Sequence, residues 1–254
     1  MMKTINTART AAGYQQGFTL VEIMVSVTIS LLLLAGVMQI FISSKASYNL
    51  QSGISHLHEN ARFATDVLIQ NVGMAGFNTD TPIISATTQD NVTANASLGF
   101  TIATGTASDT ITVQYQSTID CLGNPVGGGM AENRYYLGGT DGTDLMCLGN
   151  GTPGTTNPGI LAEGIENMQI LYGRDDDGDD IANRYVIATN MGPVEDVVSI
   201  RFALLVNSID TVGGANDTRL YSLLNAPPMG PISNNRLRRV FTRTIILRNQ
   251  ALNL

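Results

Sequence analysis

The sequence has no tryptophan, two histidines and two cysteines among 254 residues. Each scarcity removes a class of chemistry. His56 and His58 lie two apart in a stretch of helical period, so they point to different sides and do not form an i, i+4 metal clamp. No Gly-x-Ser-x-Gly elbow and no Walker loop occurs, so acyl transfer and nucleotide hydrolysis have no recognisable carriers. Charged residues make up 14%, well below the usual quarter or so. The net charge of −7 gives little to phosphate backbones, which need clustered Lys and Arg. The expectation is a non-enzyme without a cofactor and without nucleic acid as a partner.

What is abundant is an apolar run near the N-terminus. From Phe18 to Ile42 the chain is apolar or small-polar, and Glu22 is its only charge. About 25 helical residues at ~1.5 Å each give roughly 37 Å, enough to cross a bilayer core. A carboxylate at the bilayer centre costs about 2.5–3.5 kcal/mol, so Glu22 requires a partner. Before the run, Met1 to Gly17 is polar and carries Lys3 and Arg9, which places the N-terminus on the cytoplasmic side. The run is longer than the core of a cleaved secretory signal, about 7–15 residues, and no small-x-small site follows it.

The junction Gly17-Phe18-Thr19-Leu20-Val21-Glu22 resembles the processing motif of type IV prepilins and type II secretion pseudopilins. The resemblance implies that a prepilin peptidase cuts between Gly17 and Phe18 and that Phe18 is then N-methylated. The leader 1–17 would be lost and the apolar helix kept. It also implies that Glu22, fifth from the cut, faces the N-terminal amine of a neighbouring subunit. That pairing would offset the burial of its charge. Losing Lys3 and Arg9 would take the net charge from −7 to about −9. An ordinary signal anchor with a stray Glu is the plainer alternative.

The helix continues past the membrane. Leu50, Ile54, Leu57, Ala61, Ala64 and Leu68 recur at alternating steps of three and four, one seam along an amphipathic helix. The seam fits a helix laid on its own head domain, with a short coiled coil as the alternative. Gly73 and Gly76 supply the stop. The organisation expected is a leader 1–17, a transmembrane half 18–42, an amphipathic half 43–76 and a β-rich head 77–254. The head's strands are read at Thr110–Gln116, at a hairpin pairing Arg134–Leu137 with Leu145–Leu148, around Met168–Tyr172, over Val198–Val206 and over Arg239–Leu247. In the fourth, Val198, Ile200, Phe202, Leu204 and Val206 share one face. The fold class is α+β, a long N-terminal helix packed on antiparallel sheet. Beyond the membrane, Cys121 and Cys147 would meet an oxidising periplasm, where a disulfide is the default. Two free thiols or a metal pair are the alternatives, and the absence of nearby His argues against zinc.

Further patches are similar to the PilW family of minor pilins. They are Ser43-Ser44-Lys45, His58-Glu59-Asn60-Ala61-Arg62-Phe63-Ala64, Gly73-Met74-Ala75-Gly76-Phe77, Cys121, Tyr135-Tyr136-Leu137, Leu145-Met146-Cys147-Leu148, Gly164 to Gly173, Arg238-Arg239-Val240-Phe241-Thr242 and Leu247-Arg248-Asn249. The resemblance implies a structural subunit that helps prime type IV pilus assembly and sits near the pilus tip. Its partners would be other minor pilins, the major pilin, prepilin peptidase, the inner membrane and a tip adhesin. The head would lie in the periplasm and then in the pilus. A J-like pseudopilin of type II secretion fits the same leader and layout. A tip-displayed module binding DNA or a surface is the third reading, carried only by Arg236, Arg238, Arg239, Arg243 and Arg248.

Two other motifs stand out in the head. Asp175, Asp177 and Asp179 alternate in an acidic turn and are Ca2+ candidates, but an EF-type loop also needs ligands at its first and twelfth positions. Gly173 and Arg184 stand there. The plainer reading is a solvated acidic turn. Gly149-Asn150-Gly151-Thr152-Pro153-Gly154 has dinucleotide-loop spacing but no helix after it, so it reads as a loop. The plainer reading of the arginine cluster is solvated or salt-bridged strand positions opposite the acidic turn.

Overall fold

The computed structural model describes residues 17–78, 84–87 (backbone only), 108–152, 158–212 and 217–249. Lys3 and Arg9, most of the leader and parts of the long loops lie outside these. The chain divides into two units, one ending at Ser47 and the other running from Tyr48. Helix α1 (Leu20–Gly73, 54 residues) belongs to both.

In the first unit α1 is apolar and wholly exposed, with Leu32 74% and Ile40 67% accessible. It is the one described helix long and apolar enough to cross a membrane. Its start follows from Thr19, whose hydroxyl accepts the N–H of Glu22 at 3.2 Å while its carbonyl accepts that of Ile23. Thr-x-x-Glu is the capping-box pattern, and an acidic residue in the first turn suits the helix dipole.

In the second unit α1 buries Gly53, Leu57, Ala61, Ala64, Thr65, Leu68 and Val72. The seam therefore lies on the chain's own head. Its N-terminal end differs from the sequence reading. Leu50 and Ile54 are 41% and 42% exposed, and the contact is made by Gly53. A Cβ there would meet Val212 Cγ1 at 2.5 Å. Hydrophobic periodicity does not register a glycine that works by close approach.

Among the described residues the head has two antiparallel sheets. The first contains β1 (Ile84–Thr87), β2 (Thr110–Gln116), β3 (Met130–Gly138), β4 (Asp144–Gly149) and β5 (Gly159–Glu163), in that spatial order. The second contains β6 (Ile165–Arg174), β7 (Arg184–Val186), β8 (Val197–Asn207) and β9 (Arg238–Ile246), ordered β7-β6-β8-β9. Four of these strands and the β3–β4 hairpin match the sequence reading closely. The short strands β1, β5 and β7 were not legible. Only Gly164 separates β5 from β6, so it forms the corner between the sheets. Its φ of +75° is a left-handed conformation, and a Cβ would meet Asn207 and Ile209 at 3.1 Å. Glycine alone satisfies both demands. Ser108 and Asp109 tie the sheets again. The N–H of Asp109 donates to Met168 O at 2.8 Å, and its carboxylate accepts the N–H of Ile170 at 2.7 Å.

One core joins α1 to both sheets, including Leu57, Leu68, Ile111, Val113, Tyr135, Tyr172, Ile200 and Phe202. Val197, not Val198, enters it from the start of β8. A register shift at Gly173/Arg174 opposite that end accounts for the change of face. The far face of β8 is also covered. Ala203 and Leu205 pack with Tyr221 and Leu223 from the β8–β9 connection.

Candidate functional site

At the foot of α1, Gly17, Phe18 and Glu22 are all exposed, Phe18 at 79%. Nothing lies within 4 Å of where a Cβ on Gly17 would stand. Among the described residues no cation forms an ion pair with the Glu22 carboxylate. Capping fixes only its backbone. The foot thus presents an open Gly–Phe bond beside an acid, without a cation partner among the described residues, in the first turn of an apolar helix.

Cys121 and Cys147 form a disulfide, with Cα atoms 6.5 Å apart. It staples the connection after β2 to β4. A buried relay continues from this staple to the helix. The N–H of Cys121 donates to Asn133 Oδ1 at 2.9 Å, and Asn133 Nδ2 donates to the Tyr115 hydroxyl at 2.9 Å. That hydroxyl donates to Asn71 Oδ1 on α1 at 2.8 Å. The neighbouring Asp120 carboxylate accepts the N–H groups of Leu122, Asn124 and Gly151. Gly149 and Gly151 therefore crowd Asp120 instead of cradling a phosphate. Pro153 and Gly154 of that motif lie outside the described residues.

The acidic turn connects β6 to β7. Ligand oxygens of Asp175, Asp177 and Asp179 lie within 4.8 Å of one another. The turn satisfies itself, however. Asp175 accepts the N–H groups of Asp177, Gly178 and Asp180 at 3.0, 2.8 and 2.8 Å. Burial pushes its pKa up, but these donors outweigh that and hold the carboxyl below its ordinary range. Asp176 is held between Arg174 at 2.9 Å and Arg184 at 2.8 Å.

The structure breaks up the C-terminal arginine cluster. The Arg238 side chain is fully buried, and it does not face the acidic turn. Its Nε and Nη2 donate to the two Glu166 oxygens at 2.6 and 2.8 Å, and Nη2 also donates to Asn234 Oδ1 at 2.7 Å. Asp217 stands 3.8 Å away. Burial would raise the Asp217 pKa, yet hydrogen bonds from Arg219 and Tyr221 bring it to about 2. Sequence separation hid this site, since Glu166 and Arg238 are 72 residues apart. Arg239 instead meets His58 Nε2 on α1 at 3.0 Å, and the His58 ring stands edge-on to Phe241 at 5.7 Å. His56 makes no part of this contact, as the two-residue spacing required. The cluster offers no continuous basic surface of five arginines.

The family model described as Type IV Pilus-assembly protein W matches residues 134–249. The prokaryotic N-terminal methylation motif matches residues 13–38, and the two together take in more than half of the chain. No curated protein matches the sequence. Among solved structures, a type IV-like pilin from Thermus thermophilus aligns with a TM-score of 0.47 and 13% identity, over 77% of this chain and 98% of that one.

Proposed function

Because this chain belongs to the PilW family of type IV pilin-like proteins, a structural and not a catalytic family, we propose that it is a minor pilin that primes pilus assembly and is built in near the tip. The observation that carries this reading is the foot of α1. A Gly17–Phe18 bond, a capping Thr19 and an acid at the fifth mature position stand in register at the start of an apolar helix. In this reading prepilin peptidase removes 1–17 and Phe18 is methylated. Residues 18–42 hold the subunit in the inner membrane, and the head lies in the periplasm.

Assembly then follows from electrostatics. In a bilayer the Glu22 charge is costly, and its own chain supplies no cation among the described residues. A neighbouring subunit's amine would supply one in apolar surroundings, where the attraction is strong. Other minor pilins and the major pilin are the proposed sources.

The test is piliation in a deletion strain complemented with Glu22→Ala or Gly17→Ala. Pilus counts should fall at least tenfold with either variant. Normal piliation and twitching in both would sink the reading. Failure of protein secretion with twitching intact would point to a type II pseudopilin instead. DNA display loses Arg238 from its supporting cluster, because that arginine is spent on Glu166.

A further inference from the structure

We propose that the outer edge of β9 is a strand-addition site for an acidic, extended segment of another subunit. The reading as a pilus subunit says only where such a segment would come from.

Sheet edges invite pairing, and proteins blunt them by keeping edge strands short. Among the described residues three of the four sheet edges are short. β1 has 4 residues, β5 has 5 and β7 has 3, whereas β9 has 9. β9 pairs only with β8 among the described residues.

The register fixes which backbone groups point outward. Leu247 N donates to Val198 O at 2.9 Å, and Ser208 N donates to Leu237 O at 3.0 Å. With Ala203 opposite Thr242, odd-numbered residues of β9 bond to β8. Even-numbered residues turn their N–H and C=O away, since the pattern alternates in antiparallel pairs. Val240, Thr242, Thr244 and Ile246 thus form a docking ladder. Thr242, Thr244 and Ile246 are exposed, Ile246 at 65%. The Thr242 carbonyl accepts Arg243 Nη1 at 2.9 Å, a solvent-side contact that an incoming N–H would replace.

Charge selects the occupant. β8 and β9 contain no Asp or Glu. Arg238 is matched by Glu166, but Arg201, Arg239 and Arg243 have no carboxylate partner among the described residues. Arg201 lies beside the ladder, donating to Thr244 Oγ1 at 3.2 Å. An incoming strand with Glu or Asp beside Arg239 and Arg243 would complete their pairs, whereas Arg201 sits on the opposite face of the sheet, stacked on Tyr185 at 3.6 Å. A second copy's β9 would instead bring further arginines onto the same ribbon, so self-pairing is disfavoured.

The experiment uses the full chain in detergent micelles and two capped hexapeptides, Glu-Val-Thr-Val-Glu-Thr and its Lys-for-Glu twin. The acidic peptide should bind at least tenfold more tightly. It should slow amide exchange at Thr242 and Thr244 but leave Phe241 and Arg243, already bonded to β8, unchanged. Thr244→Pro removes an N–H that β8 does not use, so binding should fall at least tenfold with the melting temperature unchanged. Arg243→Glu should reverse the preference between peptides, and it decides the matter if the proline variant melts early. Equal binding of both peptides, no alternation in exchange, or self-association through β9 without peptide would overturn the proposal. Piliation does not enter, so this test fails or succeeds independently of the minor-pilin role.

Discussion

The two halves of α1 share one backbone helix and little else. Residues 20–47 carry large apolar side chains that are exposed all round, whereas residues 48–73 bury a narrow seam in which Gly53, Ala61 and Ala64 alternate with Leu57 and Leu68. Large residues suit a half whose surroundings come from outside the chain. Small ones suit a half whose surroundings are two sheets already in place, where each added methylene must displace something. The contrast teaches that continuity of a helix says nothing about continuity of its environment.

The sharpest way to break this contrast is to remove one leucine from each half. Leu68→Ala should destabilise the head by about 2–5 kcal/mol, as buried leucines do. Leu32→Ala should leave the head's melting temperature unchanged. Equal effects, read by near-UV circular dichroism of the full chain in detergent, would mean that both halves are packed by the chain itself.

Next comes the disulfide, which belongs to the second unit alone. Replacing Cys121 and Cys147 together by Ser should cost about 2–4 kcal/mol of head stability. The far-UV signal of residues 20–47 should survive heating to the lowered head transition.

Two glycines of the same helix give a smaller, opposite-signed pair. Gly53→Ala puts a Cβ 2.5 Å from Val212 Cγ1 and should destabilise by about 1–3 kcal/mol through overpacking. Gly36→Ala meets nothing within 4 Å and should raise helix content, by roughly 0.5–1 kcal/mol of propensity. Thermal melts of the two variants separate the effects.

Acid should loosen the head. Asp217 is held down to about 2 from 3.8, so its contribution is present above the unfolded value and lost as pH falls through the folded one. Head stability should therefore drop between roughly pH 4 and pH 2, and Asp217→Asn should flatten that part of the profile. The smallest effect is at Tyr135. Its hydroxyl is buried without a hydrogen-bond partner among the described residues, and burial pushes its pKa well up. Tyr135→Phe should be neutral or stabilising by up to about 1 kcal/mol, measured by denaturant titration.

Legibility in the sequence followed locality. The Gly17–Phe18–Glu22 register, the Thr110–Gln116 strand and the β3–β4 hairpin depend on neighbours within a few residues, and each was readable. Gly164 as the corner between sheets was not, because its crowding comes from Asn207 and Ile209. Nor was the pairing of Arg238 with Glu166, which made a buried ion pair look like part of a basic surface. Strands β1, β5 and β7 are too short to show a period.

The sequence by itself determined the long helix, its change of character after the apolar run, and the motif at its foot, since spacing and capping act within one turn or so of helix. Tertiary structure decided that the head has two sheets, that Gly53 opens the seam instead of Leu50, and that β9 is left as the long edge. Those outcomes rest on contacts between residues far apart in the chain, which no local pattern of residue types records.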